Sequence, residues 1–135
     1  MQATLSVEEE KRLVILMAVA VLGGSATKSC VLDLIDARGW LSLDESDREI
    51  METRNEARWR NDLAFIRHHL VLNGCLSGLH RNQWEITPKG RQVLRRLATA
   101  AKGASPHKLN RAFIKQIECL ASEHFSDDSG TGNLC

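Results

Sequence analysis

The chain has 135 residues, of which 43% are hydrophobic and 26% are charged. This length fits one domain with a hydrophobic core and is too short for a binding domain together with a separate catalytic domain. The composition excludes a disordered chain and a fibrous repeat, so we expect most of the chain to fold.

Charge is segregated along the chain, although the formal net charge is only +1. Residues 1–53 hold five basic and ten acidic side chains, residues 54–115 hold thirteen and three, and residues 116–135 hold none and four. A central block of net charge +10 between two acidic ends predicts one electropositive face and a polyanionic partner. The alternative is a set of ordinary helices whose basic side chains point into solvent.

Neither the cysteines nor the apolar run near the start indicates an exported protein. The four cysteines lie far apart, without a CxxC pair or the Cys/His spacing of a zinc site, which predicts reduced, mostly buried thiols and no metal. The apolar run 13–22 is too short to span a bilayer, and it follows three glutamates instead of the cationic segment of a signal peptide. We therefore expect a cytoplasmic protein with no membrane partner.

Two helices are predicted in the acidic N-terminal part. Ser6 and Glu9 have the spacing of a capping box, and apolar residues then recur at helical intervals, which predicts a first helix over 7–22. A second helix is predicted to start within 25–27 and to end near Gly39. The polar stretch 41–55 is predicted as a connecting loop with room for one helical turn.

A basic helix and a small hairpin are predicted next. Apolar residues recur every three to four positions within 57–73, which predicts a third helix ended by Gly74. Its buried stripe is formed by Trp59, Leu63, Ile66 and Leu70. Residues 75–79 and 83–86 are predicted as two short strands around the polar turn 80–82.

Two pairs of a capping residue and a proline predict the last two helices. Thr87-Pro88 is a start signal for a fourth helix, because the N–H that proline lacks is not needed at the first helical position. Ser105-Pro106 repeats the signal for a fifth helix, whose apolar face is formed by Leu109, Phe113, Ile117 and Leu120. We assign residues 1–104 to one domain, 105–125 to a helix that packs on or extends it, and 126–135 to a flexible tail.

The order of three helices, a hairpin and two helices predicts a mainly α (α+β) fold. Specifically, it predicts a winged helix-turn-helix with a two-stranded wing and an extra C-terminal helix, in which the third helix enters the major groove of DNA. Arginine and asparagine pair with guanine and adenine edges, whereas other cations neutralise phosphate. The candidate DNA-binding residues are Arg58, Arg60, Asn61, Arg67 and His68 on the third helix, His80, Arg81 and Asn82 in the wing turn, and Thr27 and Lys28 at the start of the second helix. Base reading is predicted at the N-terminal turn of the third helix.

Several of these residues also fit purely structural roles. Arg67 is predicted either to contact a phosphate or to be a buried structural partner. Thr27 and Lys28 either bind phosphate at the helix start or form an ordinary cap. The aromatic and aliphatic residues of this region are predicted to fill the core rather than to stack on bases, namely Trp59, Phe65, Leu70, Trp84 and Ile86.

Four short motifs follow one another along residues 13–97. They are Leu22-Gly23-Gly24, then Trp59-x-Asn61-x-Leu63-x-Phe65-x-Arg67-x-x-Leu70, then Gly74, and finally Trp84-x-Ile86-Thr87-x-x-Gly90. In this order they resemble the N-terminal winged-helix domain of Mrr-type modification-dependent restriction proteins. The resemblance implies DNA binding, attachment to a nuclease module and, in some cases, recognition of modified cytosine. The polar stretch 41–55 departs from the family pattern, because it lacks the usual short glycine-containing segment, and the fifth helix lies outside the match.

No arrangement of residues in the chain predicts catalysis. A metal-dependent nuclease needs acidic ligands and a nearby lysine, and Glu9-Glu10-Lys11 supplies only a fragment of that set at what we expect to be a solvated helix end. His68 and His69 cannot face one metal, because neighbouring helical residues point about 100° apart. The sequence has no phosphate-binding glycine loop or nucleophile elbow. We therefore expect no enzyme activity and no cofactor, and Cys30, Cys75 and Cys119 are predicted to be inert core residues.

Three functions remain open from the sequence. The first is a DNA-reading module of a restriction system that senses a modified cytosine and works with a nuclease module or subunit. The second is a small transcriptional regulator that forms a homodimer through the fifth helix. The third is a winged helix that serves for protein contacts.

Overall fold

Helices make up more than half of residues 5–124, the part of the chain that the computed structural model describes. The fold is mixed α+β, with two small antiparallel sheets. In chain order the elements are α1 (Val7–Val21), β1 (Ser25–Thr27), α2 (Lys28–Arg38), α3 (Glu45–Arg48), β2 (Ile50–Met51), β3 (Glu56–Ala57), α4 (Arg58–Leu72), β4 (Leu76–Ser77), β5 (Gln83–Ile86), α5 (Pro88–Lys102) and α6 (Arg111–His124). The predicted tail 126–135 and Cys135 lie outside the described residues.

The helix α1 is the centre of the core. All of its residues from 13 to 20 are buried, and the helix contacts α2, α4 and α5. An apolar surface on every side suits a helix that is surrounded by others. The predicted capping box is confirmed, since the Ser6 Oγ accepts from the Glu9 N–H and the Glu9 carboxylate accepts from the Ser6 N–H. No helix among residues 5–124 is long and apolar enough to cross a membrane.

A three-stranded sheet in the order β1-β5-β4 lies against this helical core. The predicted hairpin is confirmed by the antiparallel pairing of β4 with β5, in which Leu76 faces Ile86. The prediction that residues 25–27 begin the second helix was wrong, because they form β1 and place Ala26 opposite Trp84. Thr27 nevertheless caps α2, its Oγ1 accepting from the Cys30 N–H at 3.2 Å.

The stretch 41–55 has more structure than the predicted loop. The single helical turn is confirmed as α3, which is capped by Asp44. The strands β2 and β3, however, form a second hairpin that the sequence prediction missed. Its turn ends at Asn55, whose φ of 51° lies in the left-handed region, a conformation that asparagine tolerates better than most residues.

The segment before α6 corrects the predicted start of the fifth helix. Residues 105–110 are not helical and α6 begins only at Arg111, so the signal at Ser105-Pro106 is not used. The reason is Glu10, which is 1% exposed and accepts backbone hydrogen bonds from the segment 107–109. The expectation of a solvated Glu10 at the helix end was therefore wrong. Of the predicted apolar face, Phe113, Ile117 and Leu120 lie on α6 and are buried, whereas Leu109 is buried but precedes the helix.

Most of the predicted core residues are buried, with four exceptions, of which Ile66 is only partly buried. Trp59, Leu63, Leu70, Trp84 and Ile86 are confirmed. Phe65 was predicted in the core but is 62% exposed, because a residue two positions after Leu63 points to the opposite side of a helix. Cys30 and Cys119 were also predicted wrongly, since both are exposed, whereas Cys75 is buried. Burial raises the pKa of the Cys75 thiol, which suits an unreactive cysteine.

Candidate nucleic-acid interface

The helix α4 presents one solvent-facing stripe along its whole length. Trp59, Leu63 and Leu70 anchor its opposite side in the core. The stripe follows positions four, three and four apart, which fall on one side of a helix. Its members are Asn61, Phe65, His68 and Leu72, of which the last three are exposed.

The row of residues beside this stripe connects α4 to two other elements. Arg60 and Arg67 are seven positions apart and therefore lie on the same side of the helix. The Arg60 guanidinium bonds to the Asp33 carboxylate of α2 at 2.6 Å, and the Arg67 guanidinium donates to the backbone oxygen of His80 at 3.4 Å. The stripe is thus flanked by α2 in its first half and by the turn 79–82 in its second half.

Three of the predicted phosphate or base contacts are neutralised within the chain. Besides the pair of Arg60 with Asp33, the Arg58 guanidinium lies 3.1 Å from the Glu49 carboxylate. The Lys28 ammonium lies 2.7 Å from the carboxylate of Glu56. Each cation must give up a carboxylate before it can bind a phosphate, so these residues are weaker candidates than the sequence indicated.

Arg54 is a cation at this interface that the sequence analysis missed. It lies in the turn between β2 and β3, and no carboxylate of residues 5–120 lies within ion-pair distance of its guanidinium. Arg54 and Asn61 line two adjacent depressions, one that reaches Lys28 and Arg60 and one that reaches Phe65. The signal that was overlooked is Arg54-Asn55, a basic residue followed by a typical turn residue, directly before the basic helix.

The surroundings of Arg67 favour the second of its two predicted roles, that of a structural partner rather than a phosphate contact. Its guanidinium lies 5.8 Å from the centre of the Trp84 ring, and its Nε is buried with no hydrogen-bond partner among the described residues. Partial burial lowers the pKa of this guanidinium below its ordinary value, although it remains charged at any physiological pH. Through the contacts with Trp84 and His80, Arg67 joins α4 to the β4–β5 hairpin.

The turn of that hairpin exposes the remaining predicted residues. His80, Arg81 and Asn82 are all exposed, and Arg81 has no ion pair with any described residue. Thr27, in contrast, uses its hydroxyl to cap α2. The structure therefore brings Asn61, His68 and the 80–82 turn to the surface, whereas the Thr27 hydroxyl is used in the exposed cap of α2 and Arg67 is held by the hairpin.

The junction between the hairpin and α5 explains why one sequence motif needs a glycine. The Thr87 hydroxyl donates toward the Gly74 oxygen at 2.6 Å and accepts from the Gly90 N–H at 3.0 Å. A Cβ on Gly90 would lie 2.1 Å from the Cys75 carbonyl oxygen, a distance that no packed structure allows. The spacing Thr87-x-x-Gly90 thus fixes how α5 leaves the hairpin and, with it, the position of the turn 80–82.

The side chains that the structure describes form no cluster that could bind a metal ion. Among the side chains of residues 5–120, no three His, Cys, Asp or Glu are grouped so that they could hold a metal ion. The rings of His68 and His69 lie 6.4 Å apart. The Glu10 carboxylate is occupied by backbone hydrogen bonds. What the surface offers instead is an exposed helix stripe with amide, imidazole and aromatic side chains and nearby cations.

The comparison with known proteins identifies one family. The family model described as the Mrr N-terminal domain matches residues 10–96, which is more than half of the chain and includes α4 and the hairpin. The segment that leads to α6, and α6 itself, lie beyond the match. Neither the curated proteins nor the solved structures contain a significant match.

Proposed function

The chain belongs to the Mrr N-terminal domain family, and on this premise we propose that it is a winged helix-turn-helix module that binds double-stranded DNA. Its role is to read DNA for a restriction system. Cleavage is supplied by a nuclease module or subunit outside the described residues, and the module itself binds without catalysis.

The order and pairing of the elements support this proposal. The helices α1, α2 and α4 precede the β4–β5 hairpin, as the three helices of a winged helix precede its wing. In this arrangement α4 occupies the place of the recognition helix. The insertion of α3, β2 and β3 lies directly before α4 and adds Arg54 beside it.

One observation carries the proposal: the exposed stripe of α4 is flanked by cations from separate loops. Arg54 lies on the β2–β3 turn and Arg81 on the β4–β5 turn, and neither forms an ion pair with the side chains of residues 5–120. The major groove of B-DNA is wide enough for a helix, and cations on either side of it would meet the phosphates that border the groove. The central block of net charge +10 adds long-range attraction to the same partner.

A salt titration on duplex DNA tests the proposal. The Kd of the full chain for a random duplex is measured by fluorescence anisotropy at several salt concentrations. Arg81→Ala should weaken binding to all duplexes similarly and lower the slope of log K against log salt by about one unit. Lys115→Ala is the matched control, because this exposed cation lies on α6 and should leave the slope unchanged. Absence of binding at low salt, or equal effects of the two variants, would contradict the proposal.

Binding without catalysis has its own test. Purified protein with magnesium or manganese should leave duplexes with cytosine, 5-methylcytosine, 5-hydroxymethylcytosine and 5-carboxylcytosine intact, and binding to the same four shows whether a modification is preferred. Cleavage that is lost on Glu9→Gln would overturn this part of the proposal. Glu9 is the suitable position because the Glu10 carboxylate is buried.

The dimeric regulator has less support than the DNA-reading module. That alternative needs the apolar face of the C-terminal helix to meet a second copy. In the structure Phe113 packs on Trp40 at 4.8 Å between ring centres, and Ile117 is also buried within the chain. The face that a dimer would use is therefore already covered.

A further inference from the structure

Phe65 is an exposed aromatic side chain in the middle of the α4 stripe. Its side chain is 62% exposed, with Asn61 one turn before it and His68 almost one turn after it. Its ring contacts His69 edge to face, 5.4 Å between ring centres, which holds one side of the ring and leaves the other open. Folding thus leaves a large apolar surface in water at the point where α4 would be closest to a ligand.

One side of Phe65 fits an anionic partner that has an apolar group, whereas the depression on its other side contains the carboxylates of Glu8 and Asp62. On one side lies the depression lined by Arg54, Asn61, Ala64, Phe65 and His68, which contains a cation without an internal partner and no carboxylate. Ala64 is small and adds a second apolar surface beside the ring. A partner that binds here must combine negative charge, groups that bond to an amide and a small apolar protrusion.

The major groove of DNA has this combination. Its phosphates are negative, its base edges bond to amides, and the C5-methyl group of a pyrimidine is the apolar group on those edges. Phenylalanine and alanine side chains are known to contact such methyl groups. Thymine and 5-methylcytosine share this chemistry, since both carry the methyl at C5.

We propose that Phe65, together with Ala64, determines specificity by contacting the C5-methyl group of a pyrimidine in the major groove. This inference rests on the proposed function, because it requires α4 to enter that groove. Asn61, one turn earlier on the same stripe, reads a neighbouring base edge, and Arg54 binds the adjacent phosphate. Removal of one methyl group from the contact should cost about fourfold in affinity, as expected for one buried methyl.

The experiment compares one DNA site in four chemical versions. A site is first enriched by the full chain from a random duplex library that contains thymine and 5-methylcytosine. It is then synthesised in the four combinations of thymine or uracil with 5-methylcytosine or cytosine. The version that contains uracil and cytosine has no C5-methyl group. The Kd of each version is measured for the parent chain, for Phe65→Ala and for Leu72→Ala, an equally exposed apolar residue at the end of the same stripe.

We expect the version without C5-methyl groups to bind about three- to tenfold more weakly than the best version. The comparison of thymine with uracil and the comparison of 5-methylcytosine with cytosine show which pyrimidine carries the methyl group that is contacted. Phe65→Ala should abolish this difference while the salt slope stays the same, and Leu72→Ala should preserve it. Phe65→Ala should remain folded because its side chain is exposed, which a thermal melt checks.

Other outcomes separate this inference from the proposed function. If the chain binds no duplex at low salt, the proposed function fails and this inference fails with it. If it binds DNA but shows no C5-methyl preference, or keeps that preference in Phe65→Ala, only this inference is overturned. If Phe65→Ala converts a dimer to a monomer and leaves the preference intact, the residue serves contact between copies, and the inference is again overturned.

Discussion

The Glu10 carboxylate accepts a hydrogen bond from the backbone N–H of Lys108 at 2.6 Å, although 98 positions separate the two residues. The same carboxylate accepts from the N–H groups of His107 at 2.7 Å and Leu109 at 3.3 Å. A buried carboxylate is tolerated only where donors compensate for its lost hydration, and three backbone N–H groups do so here. Glu10 therefore attaches the segment before α6 to the first turns of α1.

Loss of this carboxylate should destabilise the whole chain. Glu10→Gln keeps the size of the side chain but turns an amide NH2 group toward backbone donors, which leaves buried groups unsatisfied. We expect a loss of about 1–3 kcal/mol in the free energy of unfolding, measured by urea denaturation. Glu85→Gln is the control, since Glu85 is exposed on β5. Equal stability losses in the two variants would show that the Glu10 contacts contribute nothing.

Arg67 should act on the fold rather than on the phosphates of DNA. Arg67→Ala removes the bond to the His80 oxygen and the contact with the Trp84 ring. We expect about 1–2 kcal/mol of lost stability from these contacts together, with weaker DNA binding as a consequence of a displaced hairpin. The salt slope of DNA binding should stay near that of the parent. A slope lowered by about one unit at unchanged stability would identify Arg67 as a phosphate contact instead.

Asp47 should make the stability of the chain depend on pH. Partial burial raises the pKa of its carboxyl, but the hydrogen bond and charge of Lys108, with the Asp44 backbone N–H, outweigh this and bring the pKa below its usual value of 3.8. Because the folded-state pKa is the lower one, the stabilisation is complete above pH 3.8 and is lost as the pH falls through the folded-state value.

Asp47→Asn tests this dependence. It should cost about 1–2 kcal/mol at neutral pH, through the lost ion pair and the weakened cap of α3. The difference between the parent and the variant should shrink below about pH 4, as measured by thermal unfolding over a pH series. A difference that stays constant down to about pH 2 would contradict the assignment.

Asn61 should determine which base is preferred, more than Arg60 does. Asn61→Ala is expected to cost roughly 1–3 kcal/mol on the best site and little on random duplex, because it removes a base-edge contact. Arg60→Ala should affect the best site less, since the Arg60 guanidinium is held by the Asp33 carboxylate at 2.6 Å. Competition binding with specific and random duplexes measures both. If the two substitutions lower all affinities alike, base reading does not occur at the start of α4.

The sequence by itself determined the elements whose signals are local. The capping box of Ser6 and Glu9, the Thr87-Pro88 start and the apolar stripe of α4 each involve residues that are close in the chain, so their geometry follows from short-range sterics and hydrogen bonding. The order of the motifs along 13–97 likewise predicted the Mrr N-terminal family, whose model matches residues 10–96.

Only the tertiary structure decided the features that join distant residues. Residues 25–27 become a strand because β5 pairs with them, and three residues are too few to show a period of their own. The helix α6 starts at Arg111 because Glu10 takes the N–H groups of 107–109. Arg60 is paired with Asp33 of α2, and Arg67 with the hairpin, through contacts that only the fold creates. The physical reason is that the charge of a side chain and its position around a helix follow from the local sequence. Its ion-pair or hydrogen-bond partner, in contrast, depends on how distant elements pack together.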